Sequence, residues 1–133
     1  MDGERRALQR VVALAALVPV AAGLYGVLFG QSGLAEGRVG VSADSHFRYL
    51  SGLLLGAGFL FWSTVPAIER KGELFRFLTM LVVLGGLSRL LGLWFTGVPS
   101  LTMLAALVME LVVTPLLCLW QMRIARRLAE PAA

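Results

Sequence analysis

"LFRFLTMLVVLGGLSRLLGLWFTGVPSLTMLAALVMELVVTPLLCLWQM", residues 74–122, decides the fold. It holds two long apolar runs, 74–96 and 101–122, separated only by "GVPS" (97–100). A helix needs about 20 predominantly apolar residues to cross the hydrocarbon core of a bilayer, and each run suffices. A four-residue joint leaves no room for a crossover, so the two helices are expected to be antiparallel neighbours. Two further runs of the same kind lie upstream: "LQRVVALAALVPVAAGLYGVLF" (8–29) and "HFRYLSGLLLGAGFLFWSTVPA" (46–67). The sequence therefore predicts an all-α, four-transmembrane-helix bundle, an integral membrane protein with one domain over 1–133.

Composition agrees. The 133-residue chain is 58% hydrophobic and 15% charged, with a mean hydropathy of +0.81. The charges cluster between the apolar runs, which water cannot solvate and lipid can. The first run continues past the small residues "VAAG" (20–23) to Phe29. That is longer than a signal-peptide core, so it reads as a span. One cysteine, Cys118, and one histidine, His46, exclude an internal disulfide framework and argue against a metal site. No cofactor is expected. The net charge of +4 is not a nucleic-acid signal, because the basic residues flank the spans as membrane topology requires.

Counting them gives an orientation. Arg5, Arg6, Arg10, Arg70, Lys71, Arg76, Arg123, Arg126 and Arg127 fall on one side, and Arg38 and Arg48 on the other. The nine-to-two bias puts both termini in the cytoplasm and turns the connections 30–45 and 97–100 outward. Arginine far outnumbers lysine, and Ala, Gly and Leu abound, which points to a bacterial gene rich in GC and hence to the inner membrane. Trp62, Trp94 and Trp120 stand near span ends, where amphipathic rings favour the interface.

Arg89 and Glu110 are the charges that this arrangement must explain. Arg89 lies eight positions before Gly97, and Glu110 nine positions after Leu101. At 1.5 Å per residue both lie about 12–13 Å from the same turn. An isolated charge at such a depth costs from about 3 to over 10 kcal/mol, so the two are expected to meet. Stripes of small or polar residues mark the faces expected to pack: Pro19, Gly23, Gly26, Gly30; Arg48, Ser51, Gly52, Gly56; Gly85, Ser88, Arg89, Gly92, Thr96; and Ala106, Glu110, Thr114, Leu117. "GLLLGAG" (52–58) mimics a nucleotide-binding loop but lies mid-span with no strand before it. Pro19 and Pro115 should kink their helices, and Thr114 can satisfy backbone freed nearby.

A second polar group opens the second span: "ADSHFRYLSG", 43–52. Asp44 or Ser45 can cap the helix, and Asp44 and Arg48, four apart, share a face. If Arg48 turns inward, Arg48, Arg89 and Glu110 share the outer half of the bundle with a surplus positive charge, which a lipid-like anion could balance. His46 can exchange protons near neutral pH, although an interfacial side chain is its simpler role, as it is for Tyr49.

"LYGVLFG" (24–30), "DSHFRYLSGLLLG" (44–56), "LGGLSRLLGLW" (84–94) and an acidic residue in the last span together resemble the bacterial membrane proteins grouped as domain of unknown function 4345. The resemblance covers about residues 8–124. It implies a four-helix membrane bundle and no activity, and the polar positions that match are Asp44, His46, Arg48, Tyr49, Arg89 and Glu110.

These six residues form the expected polar cluster. The leading expectation is binding of a membrane lipid or small amphiphile in an outer-half pocket, with no catalytic residue. The alternatives are a structural subunit with a membrane-protein partner or in a homo-oligomer, and a small membrane enzyme using Glu110 with His46 or Tyr49. Proton-coupled export of the kind served by small four-span transporters is disfavoured, because the core of the first span carries no acid.

Overall fold

The computed structural model of the chain describes residues 2–31 and 40–129. All the regular structure in them is helical. Four helical runs, Asp2–Phe29, Val41–Ala67, Gly72–Thr96 and Leu101–Ala129, are long and apolar enough to cross a membrane. Half of the connection 30–45, residues 32–39 with Arg38 among them, lies outside the described residues.

The first run is interrupted once, between α1 (Asp2–Ala15) and α2 (Leu17–Phe29). Pro19 has no N–H to give the carbonyl of Ala15, and the ladder resumes through the Val20 N–H to Ala16 at 3.2 Å. Trp62 braces the break by donating its indole N–H to the Ala13 carbonyl at 2.9 Å, a helix-to-helix bond in place of the interfacial anchoring expected of it.

The second run is α3 (Val41–Thr64), closed by a single 3₁₀ turn at Val65–Ala67. It starts at an extended Gly40 with no side-chain cap, earlier than the sequence suggested. Asp44 is therefore not the cap but a first-turn residue at the positive helix end. The third run is α4 (Gly72–Thr96), the fourth α5 (Leu101–Val108), a π-helical segment (Met109–Val113) and α6 (Thr114–Ala129). Helical structure in the last run continues beyond residue 122, through Ala129.

Residues 10–65 form one compact unit and residues 1–9 with 66–133 another. In the first, α2 packs on α3 at close range. A Cβ on Gly23 would stand 2.6 Å from the Leu55 nitrogen, so only glycine admits this approach. The α2 stripe is the expected one, through Gly23, Gly26 and Gly30. The α3 face is rotated: Ser51, Leu55 and Gly58 meet α2, while Gly56 stands open.

In the second unit α4 lies against the π segment and α6. Phe75, Leu78, Ile68, Leu8 and Ile124 are buried. Gly86, not Gly85, is the close-approach residue, set against Leu111 and Glu110. Polar bonds tie the far end: Arg5 to Glu69 at 3.0 Å, Arg127 to Glu4 at 3.1 Å, and Trp120 to Glu4 at 3.2 Å. The buried Gln121 donates to the Ile68 carbonyl at 2.8 Å.

Candidate functional site

In the unit built on 66–133, the two deep charges meet. Arg89 Nε donates to Glu110 Oε2 at 3.0 Å, and its Nη2 donates to Oε1 at 3.0 Å. This is the fork-to-fork geometry that makes arginine–carboxylate pairs strong and directional. Equal depth from the 97–100 turn, read from helix rise, is what aligns them. Their side chains are 33% and 19% exposed.

Glu110 stands on the π segment. Its wide turn is closed by Thr114, whose backbone N–H bonds the Met109 carbonyl five residues back and whose hydroxyl donates to the same oxygen at 2.8 Å. Pro115 follows directly. In α geometry its ring would press on the Leu111 carbonyl, and it has no N–H to offer there; the wider turn relieves both. Thr114 thus does what the sequence suggested, while the π geometry itself had no sequence signal beyond the Thr-Pro pair. Such segments inside helices are frequent at functional sites.

The guanidinium has a third partner. Arg89 Nη1 points at the Met103 sulfur, 3.0 Å away. A thioether is a weak acceptor. Of five N–H donors on an arginine, three are used here, two on Glu110 and one on sulfur. Beside them runs an open groove of about 220 Å³, lined by Arg89, Gly92, Leu93, Thr96, Gly97, Pro99 and Met103. The Thr96 hydroxyl gives its hydrogen to the Gly92 carbonyl at 2.6 Å, so it offers the groove lone pairs only. Met103 reads from sequence as apolar filler. Nothing in its neighbours marks it, because the contact depends on how the 97–100 turn returns the chain.

The unit of residues 10–65 holds the other expected polar residues. Arg48 Nε donates to Asp44 Oδ2 at 2.8 Å. Its Nη1 reaches the carbonyls of Val27 at 2.6 Å and Leu28 at 3.2 Å. Asp44 Oδ1 accepts the Gln31 N–H at 2.7 Å. These groups close the C-terminal end of α2, where carbonyls lack helical partners and a cation is favoured. Gly30 completes the closure at φ +65°, and a Cβ there would strike Asp44 and Arg48. Asp44 and Arg48 thus make an internal ion pair that fastens α2 to α3. His46 and Tyr49 are exposed and, with Val41, Ser42 and Ser45, line a shallow surface depression.

Among the described residues no three His, Cys, Asp or Glu side chains gather as metal ligands do. Of the six expected polar residues, Arg89 and Glu110 lie in one unit, beside the groove, and Asp44, His46, Arg48 and Tyr49 lie in the other. No curated protein and no solved structure matches the chain. A family model does, over residues 7–121, and by that match the chain belongs to the family described as Domain of unknown function (DUF4345).

Proposed function

We propose that this is a multi-pass protein of the bacterial inner membrane, with both termini cytoplasmic, that binds a lipid-like amphiphile by its polar head in the Arg89 groove. The observation that carries this reading is the weakly satisfied guanidinium: Nη1 rests on a thioether at 3.0 Å beside an open groove. A ligand oxygen is a far better acceptor than sulfur and could take its place. At about 220 Å³ the groove is smaller than the roughly 300–1,000 Å³ of sites that enclose a whole small molecule. It suits a headgroup, with the tail lying along exposed apolar side chains such as Leu90 and Leu101. Both Glu110 oxygens are engaged by Arg89, an arrangement that favours positioning over proton transfer. The orientation rests on the nine-to-two distribution of Lys and Arg.

Mass spectrometry of the purified protein tests the proposal. A defined amphiphile should accompany the wild type in near-stoichiometric amount and be lost from a folded Arg89→Ala variant. Equal lipid content in both proteins would sink the binding reading and leave the ion pair as a clamp of helix register.

A further inference from the structure

Resting on the amphiphile site proposed above, we infer that the Arg89 groove selects an uncharged head bearing a carbonyl-type oxygen, as in a long-chain ketone, ester or quinone, over a carboxylate or phosphate. Charge is the first reason. An arginine that waits for an anion keeps its fork free. Here Glu110 occupies the fork through both oxygens, at 3.0 Å each, so the pair is already neutral. An anionic head would bring a second negative charge against one cation at membrane depth, with no counter-ion among the groove residues. Net charge is what a low-dielectric site tolerates least. A carbonyl adds an acceptor and no charge.

The donor count is the second reason. Five N–H groups less three in use leaves two on the guanidinium. The bond to Met103 sulfur is a weak one that a ligand oxygen can replace. One oxygen with two lone pairs matches that supply. The rest of the polar lining accepts rather than donates: the Thr96 hydrogen is committed to the Gly92 carbonyl. A carboxylate or phosphate would face the lone pairs of Thr96 and the oxygens of Glu110.

The same two features also oppose the surplus-charge argument for an anion made from sequence. Asp44 neutralises Arg48 at 2.8 Å and Glu110 neutralises Arg89 at 3.0 Å, so each pair balances itself.

Met103 supplies the readout. With methionine methyls labelled by carbon-13, and the Met103 signal assigned through Met103→Leu, the protein in nanodiscs is titrated with 2-tridecanone or dodecanoate. The two probes share an undecyl tail. The titration is run at about pH 9, far above an ordinary carboxylate pKa. The ketone should shift the Met103 methyl saturably, and dodecanoate should bind at least ~10-fold more weakly. Glu110→Gln, which uncovers the cation, should reverse that order. Dodecanoate binding as tightly as the ketone to the wild type would overturn this inference and leave amphiphile binding standing. Failure of every probe to move Met103 would overturn both. The wild-type comparison decides the matter even if Glu110→Gln does not fold.

Discussion

Gly30 and Gly97 carry the two positive φ angles found among the described residues. Gly30 sits at φ 65°, ψ −165° and Gly97 at φ 102°, ψ −177°. This is a region that side chains other than glycine enter only at a cost of about 1–3 kcal/mol. The two sites differ in their surroundings. A Cβ on Gly97 meets nothing within 4 Å, whereas one on Gly30 collides with Asp44 and Arg48. Gly97→Ala should therefore lose the backbone term alone, about 1–3 kcal/mol. Gly30→Ala should lose more, because it also breaks the closure of α2. Thermal unfolding of both variants in detergent checks the order; equal losses would mean that the Asp44–Arg48 closure adds nothing. The importance of Gly30 could not be read from "LYGVLFG" by itself. Asp44 and Arg48 reveal their pairing by their spacing, but the Val27 and Leu28 carbonyls belong to another helix, and no local pattern announces them. For the same reason Met103 went unseen, while Arg89 and Glu110 were legible from depth alone.

At the scale of the element, apolar length and proline placement told most of the story. The four runs are where the hydropathy put them, and the breaks fall at Ala16 and Met109–Val113, three and two residues before Pro19 and Pro115. What the sequence could not supply was rotation. Small residues mark two adjacent faces of α3, and only packing set Ser51, Leu55 and Gly58 at the close contact, with Gly52 at its margin and Gly56 in the open. Between α2 and α3 the close approach at Gly23 is the tightest backbone contact, 2.6 Å from a would-be Cβ to the Leu55 nitrogen. Gly23→Val should push the helices apart and destabilise by about 1–3 kcal/mol, the usual range for overpacking. Gly56→Ala, which meets open space, should be neutral or slightly stabilising, since alanine favours helix. Matched unfolding curves test the pair of variants. Similar losses at both sites would show that α2 and α3 do not meet along the Gly23 face.

For the whole molecule, four spans and short connections dictate an even-numbered weave with both termini on one side. In the topology proposed above, that side is the cytoplasm, a reading that rests on the Lys and Arg distribution. A periplasmic reporter such as alkaline phosphatase should be active when fused after Gly97 and inactive when fused at the C-terminus. The opposite pattern would invert the topology and place the Arg89 groove toward the cytoplasm.

Reversal of the charges at 89 and 110 tests most directly the claim on which the binding site rests, that these two residues form one coupled pair. Arg89→Glu and Glu110→Arg are made singly and together, and the unfolding free energy of each is measured. Each single change places like charges face to face, so both should be strongly destabilising. The double variant restores the attraction and should recover about 0.5–3 kcal/mol of coupling, the range found for interacting neighbours. Strictly additive losses in the double variant would contradict the account.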